Sequence, residues 1–224
     1  MQVNYFTKIG LITLLLLSTS GCIIHVGGHA NDDNHHNGSI SHVMGDIDID
    51  AGRQVQDVSA VNGDITLNNA VSAETIDTVN GDIDIGKDVS IVSASSVNGD
   101  ISAGSQLTVK DDINTVNGDI DLKARSTVGG DISTVNGDIS LYDVKVTGNL
   151  ATKNGDISLL KGSTVSGDIT YQSVDKSRWS NHDLPTLKID SQSTVLGKII
   201  LNHKVILEID NPDILSQVER NYGQ

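Results

Sequence analysis

The sequence is poor in aromatic residues, proline and cysteine. Aromatic residues make up 3% of the 224 residues, and there are two prolines and one cysteine. A core of large rings and an internal disulfide are therefore excluded, and the core must consist of aliphatic side chains. Basic residues are also few. The formal net charge of −14 argues against a nucleic-acid-binding surface, because phosphates would be repelled. The abundant residues are Gly, Asn, Asp, Ser, Val and Ile, a composition typical of a β-solenoid.

Long apolar runs are scarce as well. The run from Ile9 to Leu17 is too short to span the ~30 Å of membrane hydrocarbon as a permanent helix. It follows a lysine and precedes small residues, which is the order typical of a cleaved secretory signal. We therefore predict that residues 1–21 are a signal peptide.

The single cysteine stands directly after this signal. Thr19-Ser20-Gly21-Cys22 resembles the lipobox of bacterial lipoproteins, with Thr19 where the lipobox usually has an aliphatic residue. The resemblance implies that the Cys22 thiol is acylated and that Cys22 becomes the mature N-terminus. Ile23 follows instead of Asp, which by analogy implies sorting to the outer membrane of a Gram-negative cell. We therefore expect a lipoprotein of the bacterial cell envelope, periplasmic or surface-exposed, with a lipid anchor that does not span the membrane.

Residues 22–44 have no apolar period and are rich in Gly, Asn and His, which predicts a flexible tether. Five of the seven histidines lie in this segment. Imidazole can bind Zn²⁺ or Cu²⁺, but the spacing of these histidines matches no closed metal site. We therefore predict a solvated tether, with no bound metal and no cofactor.

From Gly45 onward a repeat dominates the chain. The pentapeptide Val-Asn-Gly-Asp-Ile begins at Val61, Val79, Val97, Val116 and Val135. Cutting the chain before the Gly-Asp of each repeat gives units that begin at Gly45, Gly63, Gly81, Gly99, Gly118, Gly137 and Gly155. The units that begin at Gly99 and Gly118 are one residue longer than the others, and we place the extra residue near Thr115 and Thr134, ahead of the Val-Asn-Gly corner. A nearly fixed period of this kind is typical of a solenoid, in which each unit builds one coil.

Apolar residues recur at fixed places in these units. One column follows each Gly-Asp: Ile47, Ile65, Ile83, Ile101, Ile120, Ile139 and Ile157. A second column lies two residues later: Ile49, Leu67, Ile85, Ala103, Leu122, Leu141 and Leu159. This alternation predicts a strand with one buried face.

Gly-Asp-Ile also occurs at Gly130 and Gly167, each about two thirds of the way into its unit. The sides of a unit are thus interchangeable in steps of about six, which predicts a coil with three sides, each a short strand and a corner. About seven to nine stacked coils would form a rod on the order of 40 Å long, with parallel strands ~4.8 Å apart. The alternative is an antiparallel meander, because Asn-Gly is also a strong hairpin signal. We predict an all-β fold, a single-stranded parallel β-helix with about 18 residues per coil.

Each Asn-Gly pair is predicted to form a corner, where Asn tolerates the left-handed α region and Gly tolerates almost any conformation. The predicted corner residues are Asn62, Gly63, Asn80, Gly81, Asn98, Gly99, Asn117, Gly118, Asn136, Gly137, Asn154 and Gly155. We expect Val and Ile of the pentapeptide to point inward. The aspartates would form a row of like charges ~4.8 Å apart, which repel by roughly 0.9 kcal/mol per pair in water. We expect backbone N–H groups to offset this repulsion, with a cation-binding ladder as the alternative.

The Val-Asn-Gly-Asp-Ile repeat of residues 45 to about 170 resembles the repeat of adhesin-type β-strand-repeat proteins of bacterial envelopes. It is more distantly similar to the bactofilins, cytoplasmic polymers with similar corners but without such a signal sequence. The resemblance implies a right-handed parallel β-helix in an envelope protein, and it supplies no catalytic residues. Hexapeptide acyltransferases have coils of similar length, but this chain has Ile65, Ile83 and Ile101 where their repeats need a small residue.

One segment breaks the rhythm. Residues 172–186 contain the only tryptophan, Trp179, together with Arg178 and His182. An exposed tryptophan beside these groups could stack on a sugar or a partner's side chain, so the three residues form a candidate binding loop. The alternative is that the insertion covers the core of the solenoid. No Ser-His-Asp spacing, phosphate-binding loop or metal signature stands out in the sequence.

These patterns predict a β-helix over residues 45–210 with that insertion, and a cap over residues 211–224 that protects the last strand edge. We expect a lipid-anchored, non-enzymatic structural or adhesin-like interaction module whose partner is a surface glycan or protein. The alternatives are a polysaccharide-binding or polysaccharide-modifying protein and a self-associating, bactofilin-like scaffold.

Overall fold

The computed structural model describes residues 38–173 and 184–222. These residues form 25 β-strands, numbered β1 to β25 in chain order, and one 3₁₀ helix. The strands lie in three sheets, called A, B and C, which are the three sides of a solenoid. The chain makes about 10 turns with about 18 residues per coil. The predicted parallel β-helix is confirmed, and its right-handed sense stays a prediction.

Each sheet collects one strand from successive coils. Sheet A contains β1 (Ile40–Met44), β3 (Val58–Asn62), β5 (Thr75–Asn80), β8 (Ser93–Asn98), β11 (Ile113–Asn114), β14 (Ile132–Ser133), β17 (Leu150–Thr152), β20 (Ile169–Tyr171), β23 (Ile199–Leu201) and β25 (Val218–Arg220). Sheet B contains β2 (Ile47–Ile49), β4 (Ile65–Leu67), β6 (Ile83–Ile85), β9 (Ile101–Ala103), β12 (Ile120–Leu122), β15 (Ile139–Tyr142), β18 (Ile157–Leu160), β21 (Thr186–Ile189) and β24 (Ile206–Ile209). Sheet C contains β7 (Ser90–Ile91), β10 (Thr108–Val109), β13 (Ser126–Val128), β16 (Val144–Val146), β19 (Thr164–Val165) and β22 (Thr194–Val195).

Pairing between these strands is parallel in all three sheets. In sheet B, Ile65 pairs with Ile47 on one side and with Ile83 on the other. Each unit of the repeat therefore adds one layer, and equivalent residues stack along the solenoid axis. This register excludes the antiparallel meander.

The core is a stack of aliphatic side chains supplied by all three sheets. Ile65, Ile83 and Ile101 from the first predicted column have no exposed surface. Sheet C adds Val109 and Val128, which are also buried. The predicted columns are thus confirmed as the hydrophobic interior.

The valine of the pentapeptide points outward, which corrects the sequence prediction. In β3 the buried residues are Val58 and Ala60, whereas Val61 is only partly buried. Alternation counted backward from Ile65 would place Val61 inside. The chain turns between these two residues, and the turn resets the alternation.

The extra residue of the longer units lies at the corner between sheets C and A, not ahead of the Val-Asn-Gly corner. Thr108 pairs with Ser90, and Ile113 pairs with Ala94. The first two residues are separated in sequence by the length of an ordinary unit, and the second two by one residue more. The extra residue therefore enters between Thr108 and Ile113. The length of a unit shows that it contains an extra residue, but only the strand pairing shows at which of the three corners that residue lies.

The solenoid continues past both predicted boundaries. Strand β1 begins at Ile40, and β25 adds a tenth strand to sheet A. Between β24 and β25 the 3₁₀ helix Pro212–Gln217 places Ile214, which is 4% exposed, in the core. The predicted cap region thus contains a helix and a further strand.

Candidate functional site

The residues predicted to be functional fall into two groups. Cys22 and the candidate loop residues Arg178, Trp179 and His182 lie outside the described residues. Lipidation and the binding loop therefore stay predictions. The predicted corner residues all lie within the described part, at the edge where sheet A ends and sheet B begins.

The asparagines of this edge form a ladder of hydrogen bonds. The asparagine ladder consists of Asn62, Asn80, Asn98, Asn117, Asn136 and Asn154, all of them exposed. Nδ2 of Asn80 donates to Oδ1 of Asn62 over 2.9 Å, and Nδ2 of Asn98 donates to Oδ1 of Asn80 over the same distance. The remaining three steps measure 2.8 Å. An amide inside the ladder uses one N–H and one lone pair, so one of each remains for solvent or a partner.

The aspartates form a second ladder beside the first. The aspartate ladder consists of Asp46, Asp64, Asp82, Asp100, Asp119, Asp138 and Asp156, and each side chain is exposed. Oδ1 of Asp64 accepts the backbone N–H of Asp82 over 2.9 Å, and Oδ1 of Asp82 accepts that of Asp100 over 2.8 Å. Each carboxylate thus faces an N–H dipole of the next coil, which offsets the repulsion along the row. This is the arrangement expected from the sequence.

The corner glycines are required by the close approach of neighbouring coils. A Cβ atom added to Gly99 would lie 1.9 Å from the carbonyl oxygen of Gly81, and one added to Gly81 would lie 2.1 Å from that of Gly63. No side chain fits at such distances. Neither these glycines nor the ladder asparagines have a left-handed φ. The tolerance of asparagine for the left-handed region is therefore not used at this edge.

Buried hydroxyl groups connect this edge to the core. Oγ1 of Thr115 donates to the carbonyl oxygen of Gly99 over 3.1 Å, and Oγ1 of Thr134 donates to that of Gly118 over 3.1 Å. Both threonines are 1% exposed. A buried polar group without a partner is costly, so these bonds explain why a hydroxyl is tolerated inside an aliphatic core.

A second edge, where sheet C ends and sheet A begins, has the same construction. Oδ1 of Asp112 accepts the backbone N–H of Asp131 over 2.8 Å. A Cβ atom added to Gly148 would lie 2.3 Å from the carbonyl oxygen of Gly130. The extra Gly-Asp-Ile sequences at Gly130 and Gly167 are therefore corners of this second edge.

The insertion falls in the sequence at a position that corresponds to the asparagine edge. Tyr171 ends β20 in sheet A and Thr186 begins β21 in sheet B, so the insertion replaces one Asn-Gly-Asp corner. The Tyr171 hydroxyl donates to the carbonyl oxygen of Thr186 over 3.0 Å, and its ring packs edge-on against His203. Burial raises the pKa of Tyr171 above its ordinary value, so the hydroxyl stays a donor. This hydrogen bond joins the two flanks of the insertion.

Two aspartates have perturbed acidity. Burial on the outer face of sheet A raises the pKa of Asp77. The hydrogen bond from Ser95 lowers this pKa, and the negative charge of Asp57 raises it further. Burial alone would raise the pKa of Asp190, but N–H and hydroxyl donors led by the Lys161 N–H lower it.

Within residues 38–173 and 184–222, no three His, Cys, Asp or Glu side chains are arranged to hold a metal ion.

A groove of about 590 Å³ lies at the third edge, where sheet B ends and sheet C begins. It is lined by the small residues Gly104, Ser105 and Ala124, by Ser140, Leu141, Tyr142 and Leu160, and by the charged residues Lys87, Asp121 and Lys123. The repeat does not predict this groove, because these residues do not recur from coil to coil. The signal that could have identified it is the column after each sheet-B strand, where glycines give way to larger residues.

The chain matches no protein-family model, no curated protein and no solved structure. In the part of the chain that the structure describes, helices of the length and apolarity needed to cross a membrane are absent.

Proposed function

We propose that the protein is a lipid-anchored β-solenoid of the bacterial cell envelope that acts as a non-enzymatic structural or adhesin-like interaction module. Cys22 would attach it to the outer membrane, and residues 22–44 would hold the solenoid away from the lipid surface. The partner would be a surface glycan or a protein. Self-association into a scaffold stays a prediction.

The proposal is based on the structural role of the repeated polar residues. The asparagine and aspartate ladders bind one coil to the next, and the corner glycines permit the coils to approach. Because these residues hold the coils together, they favour the role of a rigid scaffold with a repetitive polar edge over a catalytic role. A repetitive exposed edge suits contact with an extended partner, because equivalent groups recur in every coil.

A polysaccharide-binding role is the second candidate. It is favoured by the groove beside Tyr142, which has an aromatic ring, apolar neighbours and a few polar groups in one concavity.

Membrane fractionation tests the anchor. In a Gram-negative host, the wild-type protein is expected in the outer-membrane fraction, and Cys22→Ala is expected either in the soluble periplasmic fraction or as an uncleaved precursor. The reason is that acylation is the strong membrane signal that remains after the apolar run is removed.

His25→Ala is the matched control, since it changes the tether beyond the cleavage point and should leave the protein in the membrane. A processed Cys22→Ala protein that still fractionates with the outer membrane would disprove the lipid anchor. For the interaction role, cells with the wild-type protein should attach to immobilised glycan or envelope protein more strongly than cells with Cys22→Ala.

A further inference from the structure

The groove at the third edge arises because successive coils turn this corner differently. Leu122 pairs with Leu141, whereas Ser126 pairs with Val144. The separation in sequence is one residue smaller for the second pair, so the corner after β15 is one residue shorter than the corner after β12. Strands β15 and β18 gain a fourth residue each, and the gained residues Tyr142 and Leu160 pair with each other.

The residue after the sheet-B core column also changes character along the solenoid. In successive coils it is Asp50, Asn68, Gly86, Gly104, Lys123, Tyr142 and Leu160. The glycines have no side chain to fill the surface, and the large residues follow in the next coils. A concave surface results, with small residues next to Tyr142, which is 44% exposed.

The polar groups of the groove favour an anion of low charge. Lys87 and Lys123 line it with Asp121, which together give a net charge of +1. Nζ of Lys123 lies 3.7 Å from Oδ2 of Asp121, whereas Lys87 has no ion pair among the described residues. In a chain with a net charge of −14, two lysines that line the same groove are the feature that would admit an anion, and a single carboxylate balances the charge.

The rest of the lining suits a sugar ring. An exposed tyrosine ring packs against the apolar face of a flat ligand, and Leu160 extends that apolar surface. Ser105, Ser140 and Asp121 can exchange hydrogen bonds with hydroxyl groups. The volume falls within the range of about 300–1,000 Å³ that is typical of small-ligand sites.

We propose that this groove binds a sugar ring that carries a carboxylate, as part of an acidic glycan. Tyr142 and Leu160 contact the apolar face of the ring, and Lys87 and Lys123 bind the carboxylate. This inference rests on the interaction role proposed above, and it names the class of ligand and the place where the ligand binds.

Titration calorimetry on the full-length chain in detergent tests the proposal, with a galacturonic-acid tetrasaccharide as the probe and its neutral methyl ester as the comparison. Saturable binding of the acid is expected, with the ester at least about tenfold weaker because a charge-assisted contact is lost. Tyr142→Ala and Lys87→Gln should each weaken binding of the acid about tenfold, whereas Tyr142→Phe should retain it.

Lys145→Gln is the matched control, because Lys145 is an exposed lysine of β16 outside the groove. It should bind like the wild type. Ala124→Phe fills the groove without removing a charged group and should abolish binding, while circular dichroism checks that each variant is folded.

Three results would overturn the proposal: no saturable binding of the acid, equal binding of acid and ester, or binding that is unchanged in Tyr142→Ala, Lys87→Gln and Ala124→Phe. These results are distinguishable from failure of the anchor. Cys22→Ala should bind the tetrasaccharide like the wild type, and loss of glycan binding should leave membrane fractionation unchanged.

Discussion

Asparagine, glycine and aspartate each have a separate role at the asparagine edge. The Asn98 amide bonds to the Asn80 amide, Gly99 allows the coils to approach, and the Asp100 N–H donates to the Asp82 carboxylate. The next residue, Ile101, has no exposed surface and begins the core column. Four consecutive residues therefore contact their equivalents in the preceding coil in four different ways.

The contrast between Asp82 and its neighbour Ile83 tests this division of roles. Ile83→Asp puts a carboxylate into a dry aliphatic stack, so we expect it to lower the free energy of unfolding by at least about 3 kcal/mol. Asp82→Asn retains an Oδ1 acceptor for the Asp100 N–H and removes one charge from the row, so we expect a change within about 0.5 kcal/mol. Thermal and urea unfolding of both variants measure the difference.

Repeating these melts with a chelator separates the aspartate ladder from a cation site. Without a bound cation, the chelator should leave the wild-type melting temperature unchanged. A chelator-induced decrease that matches a destabilisation by Asp82→Asn would favour bound calcium instead.

At the scale of the element, a coil is defined by how its three corners are built. Two corners use glycines that touch the backbone of the next coil. The third corner has a left-handed residue in successive coils, first Gly52 and then Ala70, Asp88, Gln106, Arg125, Asp143 and Lys161. Left-handed non-glycine residues cost roughly 1–2 kcal/mol each. The third corner nevertheless accepts many residue types, and it is the corner where the side chains vary and the groove forms.

Glycine substitutions test the close approach of coils. In Gly99→Ala the new methyl group would overlap the Gly81 carbonyl at 1.9 Å, so the backbone of two coils must separate. We expect a loss of about 2–5 kcal/mol in the free energy of unfolding. Gly38→Ala is the matched control, since a Cβ there meets nothing within 4 Å.

Urea unfolding of both variants gives the two values, and Gly38→Ala should lie within about 0.5 kcal/mol of the wild type. A Gly99→Ala protein as stable as the wild type would contradict a corner limited by backbone contact. It would instead support the conformational role that the sequence alone suggests for this glycine.

At the scale of the whole molecule, stability has to overcome the net charge of −14. Among the described residues the ion pairs are Lys123 with Asp121 and Lys198 with Glu219. Both involve exposed side chains, and such pairs contribute little. Repulsion between carboxylates therefore dominates the electrostatics of the solenoid.

Salt should accordingly stabilise the protein. Raising NaCl from 0.01 M to 0.15 M shortens the Debye length from ~30 Å to ~8 Å, which screens repulsion along and between the aspartate rows. We expect the melting temperature to rise by a few degrees, and by less in a variant with Asp82, Asp100 and Asp119 all replaced by Asn. A melting temperature that falls with salt would show that attractive ion pairs dominate.

The sequence alone determined the strand columns, the three-sided coil and the position of the asparagine edge. The reason is that the repeat period is copied directly onto the solenoid axis. A residue and its equivalent in the next unit become neighbours, so Ile65 and Ile83 must stack once the coil forms. Local alternation and period together leave few other parallel arrangements.

The tertiary structure alone decided which way Val61 faces, why Gly99 is glycine, and where a groove lies. Each of these depends on the path of the chain through a corner, where strand alternation is reset. The distance between two backbones and the corner that gains or loses a residue are not encoded in the period. Tyr142 is therefore an ordinary residue in the sequence, and the step between two coils exposes its ring in a groove that two lysines also line.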